Sequence, residues 1–159
     1  APVAIEAMAG VTDDRPSWEQ WRDLVRVGHG TAAELWNRTD LGPADVDVAQ
    51  LYDGFSIEVI WWLEALGFCA VGEGADFVDG GKRIALDGDL PLNTWGGQLS
   101  GGRLHAAFGH TAEAVRQLRG EAGDRRPVGR GAAERSEVAV VTNAGGFESG
   151  AAVLTAWRG

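Results

Sequence analysis

The sequence contains only one cysteine, Cys69, one tyrosine, Tyr52, and one lysine, Lys82. One cysteine excludes an internal disulfide and a cysteine-based metal site, and it fits a reducing compartment. No apolar run approaches the roughly 20 residues that a membrane-spanning helix needs. No basic segment followed by an apolar one opens the sequence, as a secretory leader requires. We therefore expect a cytoplasmic protein.

Basic residues are also scarce. Lysine and arginine together number 14 against 23 aspartates and glutamates, which gives a net charge of −9 and an isoelectric point near 4.7. This acidic balance argues against nucleic acid as a partner. The 159 residues, 45% of them hydrophobic, suit one domain over 1–159 with its own core. The sequence carries no motif that predicts a bound metal or cofactor.

What the chain has in abundance is short apolar segments separated by glycines. Apolar runs at 2–8, 46–51, 91–95, 137–142 and 151–157 predict strands, and helical periodicity appears at 55–67 and 104–119. Thr31 is a plausible cap for a further helix over 32–38, and Gly28 and Gly30 are expected to separate it from the helix before it. The order of these elements predicts a layered α/β fold with a mostly parallel sheet.

Three polar, glycine-containing loops each follow one of these predicted strands. They are Tyr52-Asp53-Gly54-Phe55, Asn93-Thr94-Trp95-Gly96-Gly97 and Asn143-Ala144-Gly145-Gly146. α/β proteins build their sites outside the carboxyl ends of the strands. The three loops are therefore expected to lie together and to form the functional site.

Together with the element order, these loops resemble the carboxyl-terminal half of a thiolase. Within that superfamily they look most like sterol-carrier-protein-type thiolases and bacterial lipid-transfer-protein-like aldolases of steroid catabolism. The resemblance implies a thiolase-like half-fold, with a mixed, mostly parallel five-stranded sheet covered by helices on both faces. It also implies that the amino-terminal thiolase half, which carries a nucleophilic cysteine, is absent from 1–159 and is either a separate chain or another part of the same one.

The resemblance further implies partners. The amino-terminal thiolase half should associate with this chain, and the pair should form a homodimer or a heterotetramer. The lipid-transfer-like aldolases also suggest a zinc-ribbon and oligonucleotide-fold-like partner protein. The apolar helix predicted at 55–67 fits a chain with a large surface to cover.

The sequence departs from the thiolase pattern at each catalytic position of this half. Tyr52 stands where thiolases carry an Asn- or His-led motif, and Asn143 stands where they carry a second cysteine. Arg103 occupies the place of the histidine in the glycine loop, and His105 follows two residues later. An asparagine or an arginine cannot act as the base of a Claisen condensation near neutral pH. The pattern therefore disfavours condensation.

The remaining groups suit a different reaction on a thioester of coenzyme A. A tyrosine beside cationic groups can accept the hydroxyl proton of a β-hydroxyacyl thioester, and hydrogen-bond donors can stabilise the enolate that retro-aldol cleavage leaves. The predicted catalytic residues are Tyr52, His105 and Asn143. The predicted substrate-binding residues are Asp53, Arg103, Gly96, Gly97, Gly145 and Gly146, and no metal ligand is predicted.

Other interpretations stay open at this point. The chain could belong to an acyl-CoA acyltransferase or thiolase that uses a cysteine from the missing half, or it could bind acyl-CoA or a partner without catalysis. Each residue also has a structural alternative: Tyr52 as a core aromatic, Asp53 as a helix cap, His105 as a helix residue and Arg103 as a solvated charge. His110 is expected to be a surface or structural residue.

Overall fold

The computed structural model describes residues 2–12, 24–103, 108–128, 136–145 and 148–157. Within them lie the strands β1 (Val3–Thr12), β2 (Val48–Gln50), β3 (Val138–Ala144) and β4 (Glu148–Ala156). The helices are α1 (Leu24–Trp36), α2 (Ser56–Ala65), α3 (Gly74–Val78), α4 (Gly97–Gly101) and α5 (Phe108–Arg119). None of these helices is both long enough and apolar enough to cross a membrane.

The described strands form one mixed sheet in the order β1-β4-β3-β2. β1 runs antiparallel to β4, starting with Val3 opposite Ala156, and a bulge interrupts the register between Ile5 and Ala7. β4 is antiparallel to β3, and β3 is parallel to the short, fully buried β2. The carboxyl ends of β2 and β3 therefore lie side by side at the same end of the sheet.

The predicted α/β fold with a mixed sheet is confirmed, but two details of the prediction are not. In the described residues the fifth strand, expected at 91–95, is reduced to a single parallel bridge between Ala49 and Leu92. The next residue, Asn93, has a φ of +46°, which a strand cannot accommodate. The sheet is also less parallel than expected, since two of its three strand pairings are antiparallel.

Helices cover both faces of the sheet, as predicted. On one face, α1, α2 and α3 bury a core that includes Leu35, Trp62, Leu63 and Phe77 against strand residues such as Val153. On the other face, α5 packs Ala114 and Leu118 onto Val48, Val141 and Leu154. Burying a large aliphatic or aromatic side chain contributes about 1.5–3 kcal/mol, so these two layers hold the strand ends in place.

The expected break between two helices at Gly28 and Gly30 is wrong, because α1 is continuous from Leu24 to Trp36. The helix packs closely on its neighbours here: a Cβ atom at Gly28 would meet Ala65 of α2 at 3.9 Å, and one at Gly30 would meet Val11 of β1 at 3.7 Å. Thr31, the expected cap, is buried inside the helix and hydrogen-bonds the Ser149 hydroxyl of β4. Tertiary packing has overridden local helix propensity.

The α5 face contains a buried polar network centred on Glu113, which has no exposed surface. Its carboxylate accepts hydrogen bonds from Arg125 Nε (2.9 Å) and Nη2 (3.0 Å), and from the Thr94 hydroxyl (2.9 Å). The Gln117 amide donates to Glu113 (3.1 Å) and to the Arg125 carbonyl (2.8 Å), and the Gln50 amide donates to Thr94 (2.9 Å). The network ties β2 and the segment after Leu92 to α5.

Candidate active site

The backbone at the end of β2 is held on both sides by polar side chains. Asn93 Oδ1 accepts the Leu51 N–H at 2.7 Å, and Asn93 Nδ2 donates to the Leu51 carbonyl at 2.9 Å. The next N–H, that of Tyr52, donates to Thr142 Oγ1 of β3 at 2.8 Å. These three bonds set the direction in which the chain leaves β2. The loops that begin at Tyr52 and Asn93 thus meet here. The Asn93 and Thr142 side chains fix the strand end that carries Tyr52.

Tyr52 is half-buried and packs against the α1–α2 core while its hydroxyl reaches the edge of the sheet. The ring folds back over Gly54, where a Cβ atom would lie 2.5 Å from the Tyr52 hydroxyl oxygen. Arg103 Nη2 lies 3.4 Å from that oxygen. The phenol and the guanidinium, which are 51 residues apart in the chain, are therefore neighbours, and Gly54 leaves the room that the ring needs.

Asp53 is buried, with its side chain 4% exposed, and binds the glycine loop rather than capping α2. Asp53 Oδ1 accepts the Gln98 N–H at 2.8 Å, and Oδ2 accepts the Leu99 N–H at 3.2 Å. Gly97 makes this approach possible, because a Cβ atom there would lie 2.1 Å from Asp53 Oδ2 and its φ is +61°. Asp53 thereby anchors α4, the helix that precedes Arg103.

His110, which was expected to be a surface or structural residue, is buried beside Asp53 in this site. Its ring is fully buried in α5, with Nε2 3.2 Å from Asp53 Oδ1, although not aligned as a strong hydrogen bond. The Trp95 ring packs edge-on against it at 5.4 Å. Burial lowers the pKa of His110 below its usual range, while Asp53 acts in the opposite direction. Burial therefore disfavours the charged imidazole beside the Asp53 carboxylate.

Glu58, which was not predicted as a site residue, lies buried in the first turn of α2. Glu58 Oε2 accepts the Phe55 N–H at 2.8 Å, which is half of a capping box; Phe55 has no side-chain acceptor to complete it, so no capping-box motif marks Glu58 in the sequence. Burial raises the pKa of Glu58, whereas the Phe55 N–H and the charge of Arg103 lower it and Asp53 raises it. Its negative charge thus lies within electrostatic reach of the guanidinium beside Tyr52.

The third loop contributes to a neighbouring cleft. Asn143 is exposed and lines a cleft of about 250 Å³ together with Met8, Phe108, Thr111 and Gly150. Its surroundings are mainly apolar, which suits an acyl group more than a charged one. The structure thus places the Asn143 amide in a cleft that Tyr52 does not line, whereas Tyr52, Asp53 and Arg103 form one group.

Two of the predicted site residues, His105 and Gly146, lie outside the described residues. Gly96 and Gly97 shape the loop that Asp53 holds, and Gly145 is buried against α2. Cys69 packs at the margin of the α1–α2 core, and burial raises the pKa of its thiol. Among the described residues no group of three or more His, Cys, Asp or Glu side chains could hold a metal ion.

The sequence profile of the family described as thiolase C-terminal domain-like matches residues 10–156. The chain belongs to this family. The predicted resemblance to the carboxyl-terminal half of a thiolase is thereby confirmed.

The relatives of this thiolase-like chain include steroid-cleaving and sterol-carrier proteins. It is 43% identical over 128 residues to the 17-hydroxy-3-oxo-4-pregnene-20-carboxyl-CoA lyase of Mycobacterium tuberculosis, a match covering 75% of this chain and 32% of the lyase. It is 37% identical over 162 residues to sterol carrier protein 2 of Rattus norvegicus, covering 98% of this chain and 28% of that protein. The chain thus spans about a third or less of these relatives.

A solved structure shows the same fold. The Ltp2-ChsH2(DUF35) aldolase superposes with a TM-score of 0.78 and 32% sequence identity over 99% of this chain and 40% of the aldolase chain. The fold, the similarity to sterol carrier protein 2 and the similarity to the aldolase therefore all agree with membership of the thiolase-like family.

Proposed function

We propose that this chain is the carboxyl-terminal half of a thiolase-fold enzyme that breaks a carbon–carbon bond in a β-hydroxyacyl thioester of coenzyme A. The reaction is retro-aldol cleavage, and the acyl group is a sterol or fatty acyl chain. The observation that carries the proposal is the pairing of Tyr52 with Arg103, whose Nη2 lies 3.4 Å from the phenol oxygen at the end of β2. The aldolase and lyase relatives support the same reaction class.

The chemistry needs a base at the hydroxyl and a donor at the thioester. Tyr52, as its phenolate, accepts the proton of the β-hydroxyl, and the electron pair of that O–H bond forms the new carbonyl as the Cα–Cβ bond breaks. The electrons of the broken bond pass to the thioester enolate, which then takes up a proton at Cα. The Arg103 guanidinium, which donates to the phenol oxygen at 3.4 Å, holds that oxygen in place beside the substrate.

Asn143 fits this reaction better than condensation. An amide can donate a hydrogen bond to the thioester oxygen as negative charge develops, but it cannot shuttle a proton as a cysteine thiol does. The apolar cleft that Asn143 lines offers space beside the amide for part of the acyl group. His105 keeps its predicted role as a further proton donor or acceptor.

The proposal includes an assembly. Several large apolar side chains near the candidate site are exposed, among them Phe55 (54%), Leu99 (64%) and Phe108 (72%). Exposed apolar side chains around one site are typical of a surface that another chain or domain covers. We propose that the thiolase amino-terminal half covers this surface and that two pairs of halves form a dimer. A zinc-ribbon and oligonucleotide-fold-like protein is a further proposed partner. A stable monomer of this chain in the presence of that half, seen by light scattering, would contradict the assembly.

The test is to incubate the complete assembly with a β-hydroxyacyl-CoA and to measure the carbonyl product and the shortened acyl-CoA. Tyr52→Phe keeps the ring over Gly54 and removes only the hydroxyl, so cleavage should fall by about 10²-fold or more, as expected for the loss of a general base. Thr39→Val, which removes a half-buried hydroxyl that donates to Glu6 and accepts the Leu41 N–H, is the control and should cleave normally.

Two results would refute the proposal. Absence of carbonyl product from the wild-type assembly would refute retro-aldol cleavage, and equal rates for the wild type and Tyr52→Phe would refute the role of Tyr52. A covalent acyl group on a cysteine of the other half, detected by mass spectrometry, would instead support acyl transfer.

A further inference from the structure

The end of β3 is fastened to α2 by a buried indole. Trp62 is 1% exposed, and its Nε1 donates to the carbonyl of Ala144 at 2.7 Å. Gly145 packs on the same side of α2: a Cβ atom there would lie 3.3 Å from Trp62 Nε1 and 3.6 Å from Glu58 Oε1. Glu58 and Trp62 are four residues apart and share one helix face, so Gly145 lies against that face.

Ala144 has a backbone conformation that alanine does not favour. Its φ is +54°, in the left-handed region where a Cβ atom crowds the following carbonyl oxygen. Asn93 is the other described non-glycine residue with positive φ, at +46°, and its own side chain bonds Leu51 on both sides. Alanine has no polar side chain, so its conformation must be held from outside. The pairing of Ala144 with Ser149 of β4 and the short bond from Trp62 supply that restraint.

We propose that Trp62 is a positioning residue of the candidate site. Its indole N–H holds Ala144 in the left-handed conformation and thereby sets the direction in which the preceding Asn143 side chain faces the substrate. The consequence for catalysis rests on the proposed function. The restraint on the turn does not, and it can be measured without any reaction.

The chain provides a closely matched control for removing this bond. Trp36 also donates its indole N–H to a backbone carbonyl, that of Leu66 at 3.1 Å, at the far end of α2. Trp62→Phe and Trp36→Phe each remove one such bond and leave an aromatic ring in the core. The two variants should lose similar global stability, and only Trp62→Phe should change the turn after β3.

The first measurement is amide hydrogen exchange of peptides covering 142–150 in the complete assembly. In Trp62→Phe, exchange there should be roughly tenfold faster, because one buried hydrogen bond and its hold on a left-handed residue are lost. In Trp36→Phe it should match the wild type once the change in global stability is subtracted. Equal exchange in the two variants would overturn the assignment.

The second measurement uses Ala144→Gly in the Trp62→Phe background. Glycine adopts positive φ without the cost that alanine bears, so the double variant should recover most of the lost exchange protection. A purely structural role of the Trp62 ring would not be rescued in this way. No recovery in the double variant would show that Trp62 does not act through Ala144.

Turnover completes the test. Trp62→Phe should lower kcat for thioester cleavage by about tenfold with KM within about twofold, since the turn acts on the reacting geometry rather than on substrate affinity, and Ala144→Gly should restore part of it. If the wild-type assembly cleaves no thioester, the proposed function fails and the exchange results alone decide the assignment of Trp62. An unchanged kcat in an assembly that does cleave would overturn the catalytic part of the assignment.

Discussion

Asp53 and Glu113 are both buried carboxylates, and the protein accommodates them in different ways. Asp53 accepts two backbone N–H groups of α4 and lies 3.2 Å from a histidine whose protonation burial disfavours. Glu113 is neutralised by Arg125 and completed by the Thr94 and Gln117 side chains. One carboxylate is held mainly by the backbone and the other by a formal ion pair.

The difference indicates two tasks. Backbone N–H groups bind Asp53 only if the glycine loop adopts one particular shape, so this carboxylate selects the conformation that brings Arg103 to Tyr52. The partners of Glu113 come from α5, the turn after it and Thr94, so this carboxylate joins elements of the fold. We infer that Asp53 serves the candidate site and that Glu113 serves stability.

The largest effect on stability should come from removing the cation that Glu113 binds. Arg125→Gln leaves the fully buried Glu113 carboxylate without the cation that donates to it; since Arg125 itself is 43% exposed, the loss should be about 2–3 kcal/mol, below that of a pair buried on both sides. Arg116→Gln is the control, since Arg116 is half-exposed and only 3.9 Å from Glu113, and it should cost less than about 0.5 kcal/mol. Denaturant unfolding measures both. Equal losses would show that the Arg125 pair is as weak as a surface contact.

Gly97→Ala should have the next largest effect, and it should act at the site. The added Cβ would lie 2.1 Å from Asp53 Oδ2, and a left-handed alanine adds strain of about 1–2 kcal/mol. Gly80→Ala shares a φ of +65° but meets nothing within 4 Å, so it isolates the strain. The loss of unfolding free energy should exceed that of Gly80→Ala by about 1 kcal/mol or more, with the Asp53 clash as the cause. Similar losses would mean that the loop moves freely away from Asp53.

The smallest of these effects should be a pH dependence from His110. Burial lowers its folded pKa, so below an unfolded pKa of about 6.5 the unfolded chain binds a proton that the folded chain does not. Stability should therefore be fully present above that pH and fall as the pH drops through about 6.5 toward the lower folded pKa. His110→Gln should flatten this fall, and His29→Gln should not. An unchanged slope in His110→Gln would assign the effect to other groups.

Much of the fold could be predicted because it depends on local patterns. Apolar runs and glycine boundaries indicated the order of the elements. Of the three loops expected to lie together, those of Tyr52 and Asn93 meet, whereas Asn143 lines a separate cleft. The prediction of a fifth strand was wrong because the side chain of Asn93, at positive φ, takes the place of backbone pairing with Leu51. Hydrophobic periodicity gives no information about such a side-chain bond. A continuous α1 was missed because close packing on Ala65 and Val11 decides it.

The buried polar residues were the least predictable part of the site. Glu113 and Arg125 are twelve positions apart and look like solvated charges on a helix and in a loop, and only the 3₁₀ turn at Gly123–Arg125 brings them together. His110 was expected to be a surface or structural residue, and its burial beside Trp95 was not predicted. Gly109 lets the Trp95 ring pack there, since a Cβ at Gly109 would lie 2.3 Å from that ring. The roles of Tyr52, His105 and Asn143 stay predictions.

The central claim is that Asp53 serves the site and Glu113 the fold, and the most direct test is to measure unfolding free energy and cleavage turnover for Asp53→Asn and Glu113→Gln in the complete assembly. We expect Glu113→Gln to lose about 2 kcal/mol or more and to keep turnover within about twofold. Asp53→Asn should lose less stability, but its turnover should fall by about tenfold or more, because the amide cannot accept both N–H groups and the loop shifts from Tyr52. Stability and turnover falling in the same proportion in both variants would contradict the claim.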